Sequence, residues 1–170
     1  MDEVLTQVTE EDEIIGPVLR SLVHGNPSLI HRSVHVLILN SVGKLLLQKR
    51  SIHKDTQPGK WDTSVGGHVG YGQSYLEAAH RETEEELGIK LMNPHLLYPS
   101  KIRDIVESEN IHTFIEITDL EIKHDPYEID EIYFWTKTEI QAKLTTGIFT
   151  TNFVEEFLRF TNSPHGYLLH

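Results

Sequence analysis

The chain has 170 residues, no cysteine and a formal net charge of −11 at pH 7. That length suits one domain whose core removes about 70% of the unfolded surface from water. The charge argues against a nucleic-acid groove or an anionic membrane as main partner, and the missing cysteines exclude disulfides, thiolate metal sites and a thiol nucleophile.

Taken in chain order, residues 3–9 read as a short strand and Val18–Val23 as a short helix stopped by Gly25-Asn26-Pro27. Residues 1–30 are thus an N-terminal extension within a single domain spanning 1–170. Ser33–Leu39 reads as a buried strand, with a turn at Asn40–Gly43 and a return strand at Lys44–Lys49. Ser51–Lys60 is a polar loop, Trp61–Val65 a short extended piece, and Gly66–Gly72 a glycine-rich run. The strongest helix follows. Ser74 and Glu77 form an S-x-x-E capping box, Leu76, Ala79, Thr83 and Leu87 make a helical stripe, and Gly88 is the stop. Ile102–Val106, Ile111–Thr118 and Ile129–Trp135 read as strands, and Thr138–Lys143 and Asn152–Phe160 as helices. This order predicts an α+β fold, an α/β/α sandwich around a mixed sheet. No basic segment followed by an apolar run opens the chain, and no apolar run matches a bilayer span, so the cytoplasm is the expected compartment.

The predicted helix carries "RETEEELG", with glutamates at 82, 84, 85 and 86. Glu82, Glu85 and Glu86 are spaced i, i+3 and i+4 and share one face, whereas Glu84 points elsewhere. Carboxylates converging without cations repel and raise one another's pKa. A hard divalent cation with oxygen ligands, Mg²⁺ or Mn²⁺, removes that penalty. The preceding glycines let backbone approach a phosphate or metal closely. The alternative is a solvated acidic face.

Residues 67–89 resemble the Nudix box, G-x5-E-x7-R-E-U-x-E-E-x-G-U, where U is bulky and aliphatic. Two positions depart from it: Gln73 stands at the first glutamate and Thr83 at the first U. The resemblance implies a Nudix fold with a loop-helix-loop box and hydrolysis of a nucleoside or other organic diphosphate. It implies that Glu85 and Glu86 are metal ligands, Glu82 a ligand or the base, Gly67 a carbonyl ligand and Arg81 the residue that orients the glutamates. Homodimers are common in this family.

Upstream, "LLLQKRSIHKDTQPGKWDTSVGGHV" resembles the isopentenyl diphosphate isomerase branch. By that resemblance Arg50 and Lys54 bind the diphosphate. His24, His31 and His68, with Glu107 and Glu109, hold a second metal. A lone histidine is more often structural, and Arg50 and Lys54 also fit ordinary surface charges. Trp61 reads as core, and Glu128 and Glu131 as solvated acids. The branch's catalytic cysteine position is Gly66, where this chain has no acid or base. The expected function is therefore metal-dependent hydrolysis of a diphosphate linkage in a small molecule. The alternatives are the isomerase reaction and a non-catalytic nucleotide-sensing or binding module.

Overall fold

The structure, a computed structural model, describes residues 2–170. The N-terminal segment forms an antiparallel hairpin, β1 (Val4–Val8) and β2 (Ile14–Leu19), then a single helical turn, α1 (Arg20–Val23). The expected helix over Val18–Val23 is corrected: Val18 and Leu19 are extended and pair with Leu5 and Val4. Pro17 is tolerated because β2 lies at the sheet edge, where an N–H on the outer side has no partner to lose.

The central strand is β3 (Ile30–Leu39). It runs parallel to β8 (Ser108–Ile117) along its whole length and antiparallel to β6 (Val65–His68) over Ser33–Val36. β4 (Leu45–Arg50) pairs with β9 (Ile129–Trp135) and with the short β5 (Trp61–Asp62). β7 (His95–Arg103) pairs with β8. Between β3 and β4 the ladder has one pair, Leu39 with Leu45, and beyond it the sheet forks.

Ser64 sits buried in this fork. Its hydroxyl accepts the Ile38 N–H at 2.9 Å and donates to the Leu46 carbonyl at 2.5 Å, replacing a backbone rung with a side chain. Ser64→Ala leaves both backbone groups buried and unpaired and should cost about 2–4 kcal/mol. Chemical denaturation checks this; an unchanged midpoint would mean that water replaces the hydroxyl.

Alternation along β3 assigns its two faces. Val34, Val36 and Ile38 join one core with Ala78, Ala79 and Leu87 of α2 (Tyr75–Leu87). Leu37 and Leu39 join the other with Phe153, Phe157 and Phe160 of α4 (Thr151–Asn162) and Ile140 of α3 (Lys137–Lys143). Each fully buried side chain of this size contributes about 1.5–3 kcal/mol. Helices on both faces of a mixed sheet make the expected α/β/α sandwich. On the α4 face, β3 is apolar only at Leu37 and Leu39; His31, Ser33 and His35 precede them.

The capping box of α2 is present, and Gly88 closes the helix at φ 65°. Leu76, expected on the buried stripe, is 43% exposed; Tyr75 and Ala78 are buried instead. The strand expected at Ile102–Val106 is corrected to His95–Arg103. Residues 104–107 turn away because the Asp104 carboxylate accepts the N–H groups of Val106 and Glu107 at 2.7 and 2.8 Å. Among the described residues no helix is long and apolar enough to cross a membrane.

Candidate active site

The fork opens into a cleft of about 560 Å³. Glu82 and Glu86 of α2 reach it and are each only 9% exposed; Glu85 also lines it, but on the outer rim. Glu84 points away, with its carboxylate 3.7 Å from Lys90. Burial raises the Glu82 carboxyl against the pull of Arg81. Burial, then the charge of Glu82, pushes Glu86 up to about 8, while a hydrogen bond from Gln48 at 2.8 Å works the other way. Buried acids that raise one another's pKa are what a hard divalent cation would relieve.

Gly67 on β6 makes this crowding possible. A Cβ there would stand 2.1 Å from Glu82 Cδ, so any larger residue would expel the carboxylate. Arg81 fastens the arrangement. Its guanidinium lies 2.8 Å from Glu82 and 3.0 Å from Glu85, and it donates to the His68 carbonyl at 2.9 Å. Thr83 fits the buried aliphatic position by turning its hydroxyl back to the Ala79 carbonyl at 2.7 Å.

Gln73 Oε1 accepts the Gly70 N–H at 3.1 Å and lies 3.4 Å from Arg81 Nε. The oxygen therefore closes the glycine loop onto the helix. Gln73→Glu should preserve both contacts, make the second charge-assisted and raise stability by up to about 1 kcal/mol with little change in turnover. Thermal unfolding and steady-state rates check this; a large gain in turnover would show that the missing acid matters to the chemistry.

Across the cleft lie the cations. Arg50 is already engaged, donating to Asp62 at 3.1 Å and to Thr56 through two further bonds at 3.0 Å. Lys54 contacts Glu128, and burial lowers its pKa. Glu128, expected as a solvated acid, thus lines the cleft, while Glu131 is exposed and 3.7 Å from Lys49. Arg20, from α1, also lines the cleft and was not singled out from the sequence. Trp61 packs edge-on against Trp135 with ring centroids 5.2 Å apart, in the core as expected.

A second cluster borders the same cleft, which His24, His68, Glu107 and Glu109 also line. Ligand atoms of His31, His68, Glu107 and Glu109 lie within 4.8 Å of one another. His24 joins them, with Nδ1 3.1 Å from Glu107. His31 Nε2 is 3.4 Å from Glu109, without hydrogen-bond geometry. Both ring nitrogens of His31 and Nε2 of His24 are buried without a hydrogen-bond partner. Burial alone would raise Glu109, yet His31, His68 and Ser33 hold it near 2. Unpartnered imidazole nitrogens facing ionised carboxylates fit a divalent metal. The helix donors, three carboxylates and the Gly67 carbonyl, fit a hard oxygen-seeking cation.

One constellation has no counterpart in the sequence expectations. His35 lines the cleft, and its Nδ1 lies 2.6 Å from Glu156 of α4. Glu156 also accepts from Tyr98 and, at 3.3 Å, from Thr113. Burial alone would lower His35, but Glu156 raises it above its ordinary value.

Known proteins agree with this architecture. A NUDIX domain model matches residues 29–157. A Streptomyces griseus protein named isopentenyl-diphosphate Delta-isomerase is 31% identical over 160 residues, 89% of this chain and 80% of its own. An uncharacterized Nudix hydrolase of Pseudomonas aeruginosa is 40% identical over 88 residues, 52% of each chain. The crystal structure of DR0079 from Deinococcus radiodurans superposes with a TM-score of 0.79 at 27% identity, covering 92% of this chain and 98% of that one. The forked mixed sheet, the box helix with its acids and the family match over residues 29–157 together make this chain a member of the NUDIX family.

Proposed function

We propose that this protein is a metal-dependent pyrophosphohydrolase that cleaves a diphosphate linkage in a small molecule. The observation that carries the reading is the buried pair Glu82 and Glu86, facing cationic side chains across a cleft that holds no thiol. Glu82, Glu85, Glu86 and the Gly67 carbonyl would hold Mg²⁺ or Mn²⁺, which when bound neutralises diphosphate charge and acidifies water. Arg81 orients Glu82 and Glu85. Glu82 would serve as a ligand or as the base that accepts a proton from attacking water. Lys54 and Arg50, with Arg20, receive phosphate oxygens, for which Arg50 must loosen its hold on Asp62 or extend its remaining donors.

A second reading is isopentenyl diphosphate isomerisation. It is supported by the name of the relative that matches 89% of this chain and by the convergence of His24, His31, His68, Glu107 and Glu109. Against it stands Gly66, at the position of that branch's cysteine.

Incubating the metal-loaded protein with isopentenyl diphosphate and a panel of organic diphosphates separates the two. The hydrolase reading expects phosphate release from at least one panel member and no isomer. Isomer without phosphate would overturn it. Binding without any turnover would point to a non-catalytic module.

A further inference from the structure

Among the described residues, no Val, Leu, Ile, Met, Phe, Tyr or Trp side chain lines the cleft. Sites for small organic ligands are ordinarily lined mostly by apolar and aromatic groups, with a few polar ones to fix orientation. A hydrocarbon tail placed here would strip water from polar groups without returning their hydrogen bonds. A nucleobase would find no phenyl, phenol or indole face on which to stack.

The cleft floor at Gly66 shows what would fit. Gly66 pairs with His35 across the β3–β6 ladder. A Cβ on Gly66 would stand 3.6 Å from His35 Cδ2 and 3.7 Å from Thr63 Cγ2, which is ordinary contact. Crowding therefore does not demand glycine; its missing side chain leaves room. His35 and Thr63 border that room, and Asn152 lines the same cleft. Thr63 is 3% exposed and its Oγ1 is buried without a partner. His35 has Nδ1 engaged by Glu156, which leaves Nε2 to accept a hydrogen bond from the neutral ring or donate one from the protonated ring. Asn152, at the start of α4, contributes an amide that both donates and accepts.

We propose that this floor receives the organic group of the substrate, and that the group is hydroxyl-rich and non-aromatic, a sugar or cyclic polyol held by His35, Thr63 and Asn152. The proposal rests on the hydrolase reading and names its substrate class. A hydroxyl carries one donor and two acceptor sites, so adjacent hydroxyls match an imidazole nitrogen, an unpartnered threonine oxygen and an amide. The cations and the acids of α2 remain for the diphosphate.

The test compares kcat/KM with Mg²⁺ for a hexose 1-diphosphate, an inositol diphosphate, isopentenyl diphosphate, an adenosine diphosphate and inorganic pyrophosphate. The hydroxyl-rich compounds should lead. Thr63→Val should lower their kcat/KM relative to pyrophosphate by at least about tenfold, mainly through KM, because a site built to bind a hydroxyl is left unpaired. Thr63→Ser should restore the ratio. Asn152→Ala gives a second reading of the same ratio if Thr63→Val fails to fold. Hydrolysis that favours the isoprenoid or adenosine compound, or variants that shift all substrates alike, would overturn the proposal while leaving the hydrolase reading intact. Phosphate release from none of the five, or isomer formation, would overturn both.

Discussion

Replacing Glu86 by Gln should lower kcat for metal-dependent phosphate release by about a thousandfold with the fold intact. Glu86 is buried beside Glu82, and Gln48 already holds one of its oxygens, so the amide fits the same space. The metal-free variant should also be more stable than the parent. In the folded protein the carboxyl is pushed from 4.5 up to about 8, mainly by burial. Between those values the unfolded chain gives up a proton that the folded chain keeps, so this group makes stability fall as pH rises, with its penalty complete above the folded value. The advantage of Glu86→Gln, measured by denaturation in chelator, should therefore be larger at pH 8 than at pH 5. Near-normal turnover in the variant would remove Glu86 from the chemistry.

Glu156→Ala should be the most destabilising single change in the α4 face, by about 3–5 kcal/mol. It strands His35, the Tyr98 hydroxyl and Thr113 Oγ1 around an internal void. The pair also sets a pH window. His35 is raised above 6.5 by Glu156 against burial, so its contribution is complete below 6.5 and lost as pH rises through the folded value. Burial would raise Glu156, but the His35 contact lowers it below 4.5, so its contribution is complete above 4.5 and lost as pH falls. Tyr98, Arg159, Asp62 and Glu109 are the other titratable groups acting around the pair. Stability from this pair should peak between those two pH values, and Glu156→Gln should flatten the profile. A profile unchanged by the variant would mean that His35 and Glu156 are not ionised together in the folded state.

Local patterns were readable wherever one element determined them. The Ser74–Glu77 box, the αL Gly88 and the i, i+3, i+4 spacing of Glu82, Glu85 and Glu86 involve only near neighbours in sequence. β7 was hidden because Pro99 reads as a strand breaker, yet β7 pairs only with β8 and can place a proline where no ladder bond is lost. β2 was hidden because Gly16 and Pro17 mask its pairing with β1. His35 and Glu156 lie 121 positions apart, and nothing near either one announces the other. Arg20 and Thr63 belong to the same class: each is ordinary in its own segment and acquires meaning only when the sheet brings a second segment alongside. The unmatched hydrogen-bonding capacity of Thr63 is a property of packing, not of sequence.

The hydroxyl of Ser64 spans the point where the sheet divides, and this bears on how such a protein can change. At its root the cleft is tied by the Ser64 hydroxyl, bonded to both banks, and above it by Gln48, which reaches across to Glu86. Away from these two ties the banks can vary: Glu82 and Glu85 from α2 on one, Arg50 and Lys54 on the other, and Gly66 or a larger residue between them. Substitutions there alter what is bound or transformed without disturbing either core. A frame of this kind can be inherited intact while its chemistry diverges, so relatives of similar architecture can carry the names of an isomerase and of a hydrolase.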